Sequence, residues 1–302
     1  MATRHGRVGV TEESPDGHCP GLPDPAILRC CIGLGTVMKP RRIHTLHRPA
    51  VGAKRYPPLL FVHGGYATAG CWDAYFLPWF SSRGFDCHAL DLAGHGASEV
   101  RARLDSYGLD DYAEDVAQVA QELDVPPILI GHSMGTAVVE RYLERHQAPA
   151  AVLMAPVPPT GILGATMKIA LTDPAFFGEQ ARATRGEYTA ETLETIRDVY
   201  YSAETTSEDL IRFGPLFQSE SRRAILDLTL LAMHFGGRRP ALPVLVVGGE
   251  KDAVFPPAVL GFTAARWQAE VAVIPRAGHT LMLDAHWQTA ASRIAGWIER
   301  QP

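Results

Sequence analysis

Long hydrophobic runs are missing from this 302-residue chain. None reaches the ~18 residues that a bilayer-spanning helix needs, so stable membrane insertion is not expected. Positive charge is short as well: 28 Lys and Arg stand against 33 Asp and Glu, a net charge of -5. Arg238 and Arg239 form only a short basic pair, and without a basic stripe a nucleic-acid partner is not expected. Cysteine is scarce and odd in number: Cys19, Cys30, Cys31, Cys71 and Cys87 show no paired CxxC spacing. That argues against a disulfide framework or a zinc site and for reduced thiols. The start, "MATRHGRVGV", carries no apolar core ahead of a small-residue cleavage site, and the chain reads as cytoplasmic. What is abundant is ordinary: 46% hydrophobic and 20% charged residues, sufficient for one large core plus an insertion.

Residues 1–25 are rich in Pro, Gly and Asp and read as a flexible N-terminal arm. From Leu59 onward, short apolar runs bounded by Gly or Pro alternate with helical periods: "LLFVHGG", "DCHALDL", "PILIGHS", "AAVLMAP", "PVLVVGGE" and "EVAVIP". Runs apolar on both faces suit a parallel sheet covered by helices on either side. Between them, Leu109, Tyr112, Ala113, Val116, Ala120 and Leu123 recur at helical spacing, with acids on the other face. Near the end, Trp287, Ala291, Ile294 and Trp297 repeat the pattern. The fold class is therefore α/β, a mostly parallel sheet with flanking helices.

The alternation breaks between about Pro156 and Pro240. No strand-like run occurs there, and short helical stretches carry Phe176, Phe177, Tyr200, Tyr201, Phe213, Phe217 and Phe235. The expected division is a core in residues 26–156, a helical lid in 157–240, and the rest of the core in 241–302.

In "PPILIGHSMGTAVVERY", an apolar run ends in Gly131-His132-Ser133-Met134-Gly135 and a helix pattern follows at once. This is G-x-S-x-G in its strand–turn–helix context. The glycines leave room for a turn too tight for side chains, and the helix start aims amides at any anion formed beside Ser133. A serine hydroxyl attacks poorly by itself and needs a base and an orienting acid. Of twelve histidines, His279 in "IPRAGHTLMLD" follows the last strand, at the same sheet edge as Ser133, and is the best base. Asp252 in "GGEKDAVFPP" is the best acid, with Glu250 as the alternative.

Taken in order, "HGGYATAGCW", "DLAGHGAS", "GHSMG", "GGEKD" and "AGH" make the chain resemble the α/β-hydrolase superfamily over about residues 57–300, the insertion excepted. The resemblance implies an oxyanion hole from the amides of Gly65 and Met134, with the Tyr66 amide as a second candidate for the former. It further implies hydrolysis of an ester, thioester, lactone or similar bond through an acyl-Ser133 intermediate, with no cofactor or metal. The partner is then a small-molecule acyl substrate. Tyr66, Trp72 and Val254 would line an apolar acyl pocket, with Phe176, Phe177, Phe213 and Phe217 reaching it from the lid. Similar sequences with the same triad leave two other readings open: a carbon–carbon bond hydrolase or cofactor-free perhydrolase, and a ligand receptor that retains the triad. The natural substrate and the oligomeric state are not readable.

Overall fold

The computed structural model describes residues 41–230 and 239–301. The expected arm, Cys19, Cys30, Cys31 and Phe235 lie outside these described residues. Among the described residues, seven strands form one sheet: β1 (Thr45–Arg48), β2 (Leu59–Val62), β3 (Cys87–Leu90), β4 (Ile128–His132), β5 (Ala151–Met154), β6 (Val244–Gly249) and β7 (Glu270–Ile274). Their order is β1-β3-β2-β4-β5-β6-β7. Only β1 runs antiparallel to its neighbour; every other pair is parallel. The carboxyl ends of β2 to β7 consequently share one end of the sheet.

Every residue of β2, β4, β5 and β6 is buried, because successive side chains of a strand enter opposite cores. Leu59, Phe61, Ile130, Met154 and Val247 face one core, with Phe76 and Phe80 of α2 (Phe76–Ser81) and Ile294 of α11 (Trp287–Ile298). Leu60, Val62, Leu129, Leu153 and Val246 face the other. There they meet Tyr112 and Val116 of α3 (Leu109–Gln121), Val138 of α4 (Met134–Leu143) and Leu260 of α10 (Pro257–Trp267). Burial of such a side chain contributes about 1.5 to 3 kcal/mol. The short helix α1 (Gly70–Asp73) lies against the first core.

Between β5 and β6 the described residues form five short helices: α5 (Leu163–Thr172), α6 (Phe176–Ala183), α7 (Ala190–Tyr200), α8 (Ser207–Phe213) and α9 (Arg222–Thr229). Hydroxyl caps start three of them. Thr189 Oγ1 accepts from Thr192 N at 3.1 Å, Thr206 Oγ1 from Asp209 N at 3.1 Å, and Ser221 Oγ from Arg223 N at 3.1 Å. Each such cap is worth about 1 kcal/mol. Within the insertion the described residues pair with a strand-like segment only through an isolated antiparallel bridge, Ala67 to Phe217. No helix among the described residues is long and apolar enough to cross a membrane.

Candidate active site

Ser133 is the corner between β4 and α4, held at φ 49° and ψ −119°. The flanking glycines are required by space. A Cβ on Gly131 would stand 2.6 Å from the Gly135 carbonyl, and one on Gly135 would run into the carbonyls of Val62 and His63. A left-handed φ on a non-glycine residue is strained by about 1 to 3 kcal/mol. Surrounding bonds fix it: Ser133 N donates to Met154 O at 2.9 Å, and Thr136 Oγ1 donates to Ser133 O at 2.6 Å.

Ser133, His279 and Asp252 come together from the carboxyl ends of three strands. His279 Nε2 lies 3.1 Å from Ser133 Oγ, and His279 Nδ1 lies 2.9 Å from Asp252 Oδ2. The other carboxylate oxygen, Oδ1, accepts from Val254 N and Phe255 N, both at 2.8 Å. With Nδ1–H donating to Asp252, Nε2 is left to accept from the Ser133 hydroxyl. Glu250 is turned away: it is exposed, and its Oε2 accepts from Arg276 N at 2.7 Å.

Two buried histidines brace this arrangement in neutral form. His132 Nε2 lies 3.0 Å from the His279 carbonyl and donates to it, while burial pushes its pKa down to about 3. His63 pairs its Nδ1 with Gly64 O at 2.8 Å, and its Nε2 accepts from Leu92 N at 3.1 Å. One nitrogen must donate and the other accept, and burial together with neighbouring His95 pushes the His63 pKa down to about 4. The His279 loop is tied to the insertion as well: Thr280 N donates to Tyr200 O at 2.8 Å, and Asp284 Oδ2 accepts from Ser202 N at 2.7 Å and Gly278 N at 3.1 Å.

Gly64 and Gly65 pass directly beside the serine. A Cβ on Gly64 would lie 3.1 Å from Ser133 Cβ, and one on Gly65 would lie 3.9 Å from Met134 Cβ. Met134 opens α4, so its N–H has no acceptor within the helix. The Tyr66 amide is not the alternative donor that the sequence suggests, because it donates to Glu220 Oε2 at 3.1 Å.

A cavity of about 240 Å³ opens above Ser133 and His279. Gly65, Tyr66, Met134, Phe176, Phe177, Phe217 and Val254 are among the residues that line it. Trp72 and Phe213 are not. Trp72 is fully buried against Phe61 and Phe76 in the core below the site. Phe213 is buried against Tyr75 and Tyr201. An aromatic on a short helix fills whichever side packs, and here both helices turn these rings to the core. The lining also includes Ile169, Tyr200, Leu228 and Met282, which no motif marks. Burial raises the Tyr200 and Tyr66 phenols above their ordinary range, so both rings face the cavity uncharged. Among the described residues no Asp, Glu, Lys or Arg lines it.

Metal-ligating atoms gather elsewhere. Those of His47, Asp86 and His88 lie within 4.8 Å of one another, at the amino end of β3 and hence at the opposite end of the sheet. Asp86 already accepts there from Lys54 Nζ at 2.8 Å, with His47 Nε2 at 2.9 Å.

Known proteins resemble the chain in fold and sequence. An esterase of Exiguobacterium antarcticum superposes with a TM-score of 0.67 at 18% identity, over 87% of this chain and 97% of that one. A bifunctional esterase/perhydrolase of Acinetobacter calcoaceticus is 37% identical over 112 residues, 36% of this chain and 40% of that protein. The chain therefore spans less than half the length of that relative. A pyrethroid hydrolase of Sphingobium wenxiniae is 25% identical over 237 residues, 72% of this chain and 78% of that protein. The sequence profile of the α/β hydrolase family matches residues 59–292, most of the chain, and the protein belongs to that family.

Proposed function

We propose that the protein is a serine hydrolase that cleaves an ester or related acyl bond of a small to medium apolar substrate. The observation that carries this reading is the hydrogen-bonded chain Ser133–His279–Asp252 under an uncharged cavity. His279 Nε2 takes the hydroxyl proton as Ser133 Oγ attacks the carbonyl carbon, and Asp252 holds the ring and stabilises the imidazolium. The tetrahedral oxyanion receives hydrogen bonds from the Gly65 and Met134 amides, each worth about 3 kcal/mol. Collapse breaks the bond to the leaving alcohol, which departs with the proton from His279. A water deprotonated by His279 then attacks the acyl-Ser133 ester, releasing the acid and restoring the serine.

The insertion serves as the lid of this site, with Phe176, Phe177 and Phe217 setting the acyl length accepted. A volume of about 240 Å³ falls just under the ~300–1,000 Å³ of pockets for drug-sized ligands, which favours small to medium acyl groups. An uncharged lining disfavours substrates with a charge on the enclosed part, since an unpaired buried charge is strongly penalised. The names of the relatives fit the reading: an esterase/perhydrolase and a pyrethroid hydrolase. The former also favours a second activity, in which hydrogen peroxide replaces water on acyl-Ser133 and a peracid leaves.

The test is turnover of p-nitrophenyl esters from acetate to laurate by the wild type and Ser133→Ala. A folded Ser133→Ala variant with wild-type rates rules out the mechanism, and no turnover of any ester rules out the substrate class. Peracid formation in the presence of hydrogen peroxide decides the second activity.

A further inference from the structure

Glu220 is a single acid in the "FQSES" segment of the insertion, 154 residues away in sequence from the loop after β2, and its side chain is completely enclosed. Four donors surround the carboxylate. Oε2 accepts from Tyr66 N at 3.1 Å and meets His95 Nε2 at 3.1 Å; Oε1 accepts from Tyr112 Oη at 2.9 Å and Ser221 N at 2.6 Å. An enclosed carboxylate with one missing donor would be strongly destabilised, so this set belongs together.

The charge has its counterpart in His95. That ring is also fully enclosed, and its Nδ1 faces Ala93 O at 3.2 Å while Nε2 faces Glu220. Both nitrogens meet oxygen acceptors, which requires both to donate and makes His95 an imidazolium. The directions of titration agree: against its burial, His95 is raised by the Glu220 charge, and Glu220 is lowered by His95.

What this ion pair grips is the backbone next to the serine. Tyr66 has a left-handed φ of 64°, a strained conformation for a tyrosine that persists only when its surroundings over-determine it. The insertion holds both of its peptide groups: Glu220 takes the Tyr66 N–H, and Gln218 N donates to Tyr66 O at 2.7 Å. The Gln218 side chain binds the "AGHG" turn in turn, from Nε2 to Gly94 O at 3.0 Å and from Gly96 N to Oε1 at 2.8 Å. The Tyr66 N–H belongs to the same planar peptide as the Gly65 carbonyl. Holding that plane anchors the carboxyl side of Gly65, one residue from its own N–H, and narrows the swing of a residue with no Cβ to restrain it.

From this we infer that Glu220, with His95 as its counter-charge, is the positioning residue for the Gly65 amide, so that the insertion sets the oxyanion donor as well as roofing the cavity. The inference rests on the Ser133 chemistry proposed above. Glu220 touches no reacting atom; it acts through the Gly65–Tyr66 peptide. Because the oxyanion forms only after attack, its loss falls on kcat and leaves KM nearly unchanged.

The experiment is kcat and KM for p-nitrophenyl butyrate with Glu220→Gln, per site titrated to completion with a fluorophosphonate, so that unfolded protein is not counted. An amide at position 220 presents an NH2 to one of the two donor pairs and must release it. The expected result is a fall in kcat per titrated site of about 10²-fold, as for a lost oxyanion donor, with KM within about twofold. Wild-type kcat per site, or a loss carried entirely in KM, overturns the inference. Should Glu220→Gln fail to fold, Tyr112→Phe removes only the hydroxyl at Oε1: a several-fold lower kcat per site at unchanged KM supports positioning, and an unchanged kcat overturns it. Ser133→Ala, which has no serine to titrate and is compared with wild type per mole of protein shown by circular dichroism to be folded, separates the two levels. If it stays active, the mechanism fails; if it is inactive while the Glu220 and Tyr112 variants match wild type, only the positioning role fails.

Discussion

Replacing Asp252 by asparagine changes one atom of the side chain, and the structure dictates where that atom goes. Oδ1 accepts two backbone N–H bonds, from Val254 and Phe255 at 2.8 Å each. In the variant the amide oxygen must keep that place, because an NH2 there would face two donors in a buried site. The NH2 is thereby forced into the Oδ2 position, 2.9 Å from His279 Nδ1. It donates, so Nδ1 must accept, and the proton of the neutral ring moves to Nε2. Nε2 then presents a hydrogen to Ser133 Oγ, 3.1 Å away, and no longer takes the hydroxyl proton. The geometry is otherwise intact, so the expected loss is that of a misoriented tautomer, about 10⁴-fold in kcat in the serine-protease precedent, equivalent to about 5.4 kcal/mol of barrier at 1.36 kcal/mol per decade. The assay is kcat on p-nitrophenyl butyrate near neutral pH, with circular dichroism and a melting curve to establish folding. A folded Asp252→Asn enzyme within tenfold of wild type refutes the reasoning. Crippling by Glu250→Gln alone would refute it too, since Glu250 faces Arg276 N instead.

Three further outcomes are expected. Ser133→Gly, which relieves the residue at φ 49°, abolishes esterase activity while stabilising the fold by about 1 kcal/mol, an increase in Tm of roughly 2 to 4 °C; a lower Tm in a thermal scan contradicts the strain. Phe176→Ala, Phe177→Ala and Phe217→Ala shift the preferred acyl length, by about 1 to 3 kcal/mol of discrimination. Phe213→Ala instead loses about 3 to 5 kcal/mol of stability and keeps the wild-type chain-length profile; a shifted profile in Phe213→Ala alone would return that ring to the cavity. Acid should destabilise the protein early. Unfolded, His63 and His132 bind protons near their ordinary pKa of 6.5, whereas folded they stay neutral down to about 4 and about 3. The unfolded state binds more protons in that window, so stability falls as pH falls from 6.5, by up to about 1.4 kcal/mol per pH unit per histidine. Urea unfolding at pH 6.5 and pH 5 checks this, and equal stability at the two values contradicts it.

Much of the molecule was legible along the chain because its causes are local. The wholly apolar runs at Leu59–Val62 and Val244–Gly249 imply strands covered on both faces. At the elbow the crowding of Gly131 is local, against Gly135 and Thr136 a few positions on, whereas Gly135 makes room for the Val62 and His63 carbonyls at the end of β2. The two expectations at the base of the site were sequential too: His279 and Asp252 each follow a strand, and parallel strands bring their carboxyl ends to one place.

Three matters were decided only in three dimensions. Asp252 and Glu250 leave the same strand two residues apart, and "GGEKD" ranks Asp252 first without excluding Glu250; the amides of Val254 and Phe255 capture one, and Arg276 N holds the other outward. Trp72 and Phe213 are as aromatic as Tyr66 and Phe217, yet core packing against Phe61, Phe76, Tyr75 and Tyr201 buries the first pair. Glu220 carries no motif at all. Its meaning lies in donors 125, 108 and 154 residues away. A sequence pattern records which conformations each segment favours, whereas an enclosed charge is fixed by whatever groups the folded chain brings within about 3 Å of it, and that is a property of the whole packing.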